Sequence, residues 1–126
     1  MAEISGPDES EAGGILTIDL QAIVANWRAL QERAAPAQCA AVVKADGYGC
    51  GIEQVAGALA NAGCATFFVA NLAEARRARA VAPDATIYVL NGVLPGTAAA
   101  FAQANLRPVI GDGLAWDEWN AFRAAS

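Results

Sequence analysis

Ala41-Val-Val-Lys-Ala-Asp-Gly-Tyr-Gly-Cys-Gly51 is the stretch on which the reading of this chain turns. An apolar run ends in Lys44, and three glycines, Gly47, Gly49 and Gly51, follow in a span of five residues. In a parallel sheet that order puts an amine at the C-terminal edge of a strand, beside a loop whose backbone can approach a ligand closely. A lysine half buried there loses solvation for its charged form, and the neutral amine becomes a nucleophile toward an aldehyde. Carbonyl chemistry is the inference. Spacing alone also admits a strand-end lysine reaching into water, and Asp46-Gly47 between apolar runs is a hairpin signal in its own right. The glycines do not form GxGxxG and there is no GxxxxGK[ST], so neither dinucleotide nor P-loop phosphate binding is supported.

Outward from this stretch the pattern alternates. Apolar runs at Cys39 to Val43, Ala65 to Ala70, Thr86 to Leu90 and Leu106 to Ile110 are long enough for strands and short for helices. Each is followed by helical spacing. Ile52, Val55 and Leu59 share one face after the first run. After the second, Asn71 is placed to cap a helix with Glu74 reaching back in a capping box. Gly63 and Pro83 mark stops, the third helix is expected to open near Pro95, and the fourth carries Leu114, Trp116, Trp119 and Phe122 behind an Asp112 cap. Upstream, Ile15 to Leu20 reads as a strand. A helix started by Asp19 or a neighbour follows, with Ile23, Val24, Trp27 and Leu30 on one side. Wholly apolar strands joined through helices imply an α/β fold with a parallel sheet. An N-terminal strand and helix followed by about four βα units make either part of a (β/α)₈ barrel or a small open doubly wound sheet, and spacing does not separate the two.

Composition narrows the function. The 126 residues suit one domain, and no apolar stretch approaches the roughly 18 residues of a membrane span. A net charge of −5 with eight Lys and Arg argues against nucleic acid and anionic membranes. Residues 1–14 are acidic and rich in Gly, Ser and Pro without the features of a secretion signal, so they are read as a flexible leader of a cytoplasmic protein. Cys39, Cys50 and Cys64 form no CxxC pair and there is no histidine, so free, mostly buried thiols are expected rather than a disulfide framework or a metal site.

Ala41-Val-Val-Lys-Ala-Asp-Gly-Tyr-Gly-x-Gly51 resembles the pyridoxal-phosphate attachment motif of the alanine racemases. The likeness extends to Leu16-Thr-Ile-Asp-Leu20 and Asn26 upstream, and to Phe68-Val-Ala70, Glu74-Ala75 and Ile87-Tyr-Val-Leu-Asn-Gly92 downstream. It implies a pyridoxal 5'-phosphate enzyme with a (β/α)₈ barrel and a C-terminal β domain, a homodimer that interconverts L- and D-alanine. Lys44 is then the Schiff-base anchor and the base on one face of the substrate. Tyr48 matches a tyrosine that reaches the cofactor phosphate, and Leu90 a position near the cofactor ring. Cys50 departs from the histidine common at that position.

The resemblance also implies that residues 15–126 are the N-terminal part of the barrel domain, because a closed barrel takes roughly 250 residues. On that reading the pyridine-nitrogen arginine, most of the phosphate cradle and the opposite-face tyrosine belong to sequence beyond Ser126. This chain alone is expected to show little or no racemase activity, and Ile15 to Leu20 is expected to lack its pairing partner. A broad-specificity amino-acid racemase of the same fold, a non-catalytic pyridoxal-phosphate-binding protein and an inactive truncated product remain alternatives.

Overall fold

The structure is a computed structural model that describes residues 7–126. The element order is α1 (Leu20–Ala34), β1 (Ala41–Val42), α2 (Lys44–Tyr48), α3 (Ile52–Asn61), β2 (Thr66–Val69), α4 (Leu72–Val81), β3 (Thr86–Val89), α5 (Ala98–Gln103), β4 (Arg107–Pro108) and α6 (Gly113–Ala124). All strand pairs are parallel, and the sheet order is β1-β2-β3-β4. This order separates the two architectures that spacing left open. A doubly wound sheet reverses its strand order at a switch point, whereas a barrel adds each strand beside the previous one. The chain is an arc of a (β/α)₈-type barrel.

The register places Val42, Phe68, Tyr88 and Arg107 in one row across the sheet. Their neighbours Phe67, Val69, Ile87 and Val89 point the opposite way and are fully or almost fully buried. On that side the helices supply Ile52, Val55 and Leu59 from α3, Ala75 and Ala78 from α4, and Phe101 from α5. Alanines on α4 let its backbone lie close to the large strand residues, so the core is packed between sheet and helices. The other face, the one a closed barrel would enclose, carries Val42 at 47% exposure. There Phe68 stacks on Tyr88 with ring centroids 4.9 Å apart. Arg107 lies 5.7 Å from the Tyr88 ring centre and donates to its hydroxyl at 3.1 Å.

Helix starts follow the caps read from sequence. Asp19, Asn71 and Asp112 each accept an amide N–H of the first turn, from Ala22, Glu74 and Ala115 respectively. Several expectations are corrected. Ile15 to Leu20 forms no strand: Ile15 and Leu16 are 64% and 81% exposed, no strand among the described residues lies alongside, and Leu20 already belongs to α1. Of the α1 stripe, Val24 is buried and Leu30 is exposed. Pro95 lies in a loop, and α5 begins three residues later at Ala98. On α6 Leu114 and Trp116 face solvent, while Trp119 and Phe122 pack inward, Trp119 edge-on to Phe101 at 6.1 Å.

Of the expected leader, residues 1–6 lie outside the described residues, and Glu9–Glu11 form a single 3₁₀ turn capped by Asp8. The three cysteines are free thiols, with Cys64 buried and Cys39 and Cys50 half-buried. Among the described residues, no helix is long and apolar enough to cross a membrane.

Candidate active site

Lys44 is the second residue after β1. The amide of Val43 still donates to Phe68 at 2.9 Å, so sheet pairing runs to the residue before the lysine. Extending the register from Val42 opposite Phe68, and from Val69 opposite Val89, sets Lys44, Ala70 and Leu90 in the next row. That row lies at the C-terminal ends of the strands, where barrels carry their chemistry. Lys44 is half-buried. The ion-paired carboxylates among the described residues, Asp46 and Glu53, are both taken by Arg77, so no carboxylate holds the lysine amine.

The backbone after Lys44 takes a left-handed course. Ala45 (φ 52°, ψ 50°), Asp46 (φ 55°, ψ 46°), Gly47 (φ 63°, ψ 37°) and Tyr48 (φ 56°) all lie at positive φ. Three of the four carry a side chain, and each such residue costs roughly 1–2 kcal/mol relative to the right-handed region. The α2 segment is therefore one turn of left-handed helix, not a right-handed one. Asp46-Gly47 does take the positive φ that its hairpin signal requires, but the turn leads into α3 and reverses no strand pair.

Surrounding contacts hold this turn. Within it, Gly47 donates to the carbonyl of Val43 at 2.9 Å, Gly49 to Ala45 at 3.0 Å and Gly51 to Asp46 at 2.9 Å. The Asp46 carboxylate accepts the amide of Ile52 at 3.1 Å, capping the start of α3 where Gly51 offers no side chain. From α4, Arg77 donates to Asp46 Oδ1 at 2.7 Å and grips Glu53 through two nitrogens at 2.6 and 2.7 Å. Arg77 holds the Glu53 carboxyl below its ordinary range, and Glu53 first, then Asp46, raise the guanidinium further. The side chains are 30–50% exposed, so each pair contributes at most about 1 kcal/mol and acts mainly as a geometric tie.

Glu74 adds a second tie. Its Oε1 accepts the amide of Asp46 at 3.2 Å and its Oε2 the amide of Ala70 at 2.8 Å. The expected capping box is thus altered: Asn71 caps as read, but Glu74 reaches past it to Ala70 and across to the lysine loop.

The site residues read from sequence fall at one end of the sheet. Lys44 and Leu90 share a row, Leu90 at 36% exposure, and Tyr48 closes the left-handed turn at 63% exposure. Sequence reasoning did not assign Arg77 and Glu53. The spacing of Glu74 and Arg77, one helical turn apart on α4, was the available signal.

Comparison with known proteins agrees with this geometry. Residues 18–126 match the family profile described as alanine racemase, N-terminal domain. The alanine racemase of Methylobacterium nodulans is 61% identical over 110 residues, covering 87% of this chain and 30% of that protein. That of Methylobacterium sp. strain 4-46 is 58% identical over 113 residues, covering 90% and 31%. The crystal structure of alanine racemase from Bartonella henselae with covalently bound pyridoxal phosphate superposes with a TM-score of 0.82 at 40% identity, over 86% of this chain and 30% of the other. The enzyme of Streptomyces coelicolor A3(2) gives 0.76 at 38% identity, over 86% and 30%. The chain therefore spans about 30% of the length of these relatives. With sequential parallel strands, a lysine closing the first of them and a profile match that runs from Ile18 to Ser126, the chain belongs to the alanine racemase N-terminal domain family.

Proposed function

We propose that residues 15–126 are the N-terminal part of the barrel domain of an alanine racemase, with Lys44 as the anchor of pyridoxal 5'-phosphate. The observation that carries this reading is the half-buried Lys44, with no carboxylate ion-paired to it among the described residues, in the row at the C-terminal strand ends. The residues fit the cofactor. An amine without an ionic partner can bond an aldehyde, and the Tyr48 hydroxyl is a donor for a phosphate oxygen. Leu90, on the same row as Lys44, offers an apolar contact to a ring. When bound, the cofactor ring serves as the sink for the electron pair released at the substrate α-carbon.

Lys44 Nζ is the group that takes the proton from the α-carbon of alanine on one face and returns it there. Inversion needs a second acid/base group on the opposite face, because one amine restores the proton to the side it came from. That group belongs to the rest of the enzyme, with a partner subunit of a cytoplasmic homodimer as its source.

The test follows from this division. With pyridoxal phosphate and either enantiomer of alanine in D₂O, the 126-residue chain is expected to place deuterium at the α-carbon of one enantiomer without converting it to the other. Lys44→Ala is expected to abolish the exchange. Interconversion of the enantiomers by this chain alone, or exchange that persists in Lys44→Ala, overturns the assignment of one base to Lys44.

A further inference from the structure

The two oxygens of Glu74 accept from two different chain segments. Asp46, whose amide meets Oε1 at 3.2 Å, is the second residue after Lys44, in the opening of the left-handed turn. Amides at the start of a helical turn have no acceptor within it, so this N–H needs one from outside. Ala70, whose amide meets Oε2 at 2.8 Å, directly follows β2 and lies beside Lys44 in the extended register. One carboxylate thus joins the lysine loop to the neighbouring strand end. It is itself held, since the Glu74 amide donates to Asn71 Oδ1 at 3.0 Å. Arg77, on the same side of α4, fixes the Asp46 side chain at 2.7 Å. The backbone course of residues 45–48 is intrinsically disfavoured, and such a course persists only where its surroundings determine it.

We propose that Glu74 is a positioning residue for Lys44: by bridging the amides of Asp46 and Ala70 it holds the left-handed turn against the end of β2 and so fixes where the lysine amine stands. This rests on the reading of Lys44 as the cofactor anchor. A glutamine at position 74 keeps the size but replaces one acceptor oxygen with an NH₂ donor, which faces one of the two amides donor to donor. The turn then opens more often, and the amine spends less time where the cofactor aldehyde must meet it.

Two measurements on Glu74→Gln test this, with Glu118→Gln as the comparison. Glu118, on α6 at the other edge of the sheet, also takes a backbone amide, that of Gly96 at 2.8 Å. Without cofactor, amide exchange at Asp46 and Ala70 is expected to quicken by about tenfold in Glu74→Gln, while the core amides of β3 keep their rates. In a pyridoxal phosphate titration followed by the visible absorbance of the bound cofactor, apparent affinity is expected to fall by about tenfold. Glu118→Gln is expected to change neither quantity.

Exchange that quickens evenly over the whole domain, or cofactor affinity in Glu74→Gln equal to that of the unsubstituted chain, overturns the proposal. If borohydride reduction of the unsubstituted chain leaves no adduct on Lys44, the cofactor assignment fails instead, and the exchange rates alone decide whether Glu74 holds the turn.

Discussion

Ala45→Gly is expected to stabilise the protein, although the same change in an ordinary helix destabilises by about 1 kcal/mol. Ala45 sits at φ 52°, ψ 50°, is exposed, and makes no core contact that its methyl group would forfeit. Holding an alanine in the left-handed region costs roughly 1–2 kcal/mol, which glycine avoids. Glycine in turn loses about 0.5–1 kcal/mol through the greater freedom of its unfolded chain. The balance is a gain of about 0.5–1 kcal/mol, or a rise of about 2–6 °C in melting temperature for a domain of this size. Ala45→Val moves the other way, because a β-branched side chain is far less tolerant of positive φ, and is expected to lose about 1–2 kcal/mol. Urea denaturation of the three proteins at one pH reads both changes as midpoint shifts at constant slope. Destabilisation of about 1 kcal/mol by Ala45→Gly would show that residue 45 is right-handed and that the account of the lysine loop is wrong.

Two further outcomes follow from side chains away from Lys44 itself. The guanidinium of Arg79 donates to the carbonyls of Ala82, Pro83, Ala85, Ala104 and Asn105 at 2.6–3.2 Å, joining the end of α4 to the loops before β3 and β4. Arg79→Met is expected to cost about 2–3 kcal/mol in urea denaturation, and Arg79→Lys to recover only part of it because an ammonium cannot span that fork. Glu53 has its folded-state pKa depressed below its ordinary 4.5 by Arg77. Its contribution is therefore fully present above the unfolded value and lost as pH falls through the folded one. The stability difference between the unsubstituted chain and Arg77→Met is expected to narrow below about pH 4.5 and to be level between pH 6 and 8, as read by denaturation midpoints across pH.

The alternation of apolar runs and helical spacing was legible because period and caps are local properties. Asp19, Asn71 and Asp112 each cap the helix they precede. Strand order is not local, so the choice between barrel arc and doubly wound sheet waited for the pairing of β1 through β4. The position of Lys44 at a strand end was readable from its apolar approach and the glycines beyond it. The left-handed turn was not, since alanine, aspartate and tyrosine carry no preference strong enough to announce positive φ in succession. Its outside ties come from Glu74 and Arg77 on α4, which are 28 and 31 residues away from Asp46 in sequence and reach it across the packed α3 and α4 helices. Ile15 to Leu20 shows the converse. Its composition favours a strand, but among the described residues no neighbouring strand pairs with it, so Ile15 and Leu16 stay exposed and Leu20 joins α1.

Borohydride reduction of the chain with pyridoxal phosphate, followed by mass spectrometric mapping, tests the central claim that Lys44 is built to carry the cofactor. Lys44 is the one lysine in the sequence, so the competing sites are the α-amino group and nonspecific adducts. The account predicts a reduced adduct confined to Lys44 and absent from Lys44→Ala. An adduct on the terminal amine alone, or labelling unchanged in Lys44→Ala, would contradict it.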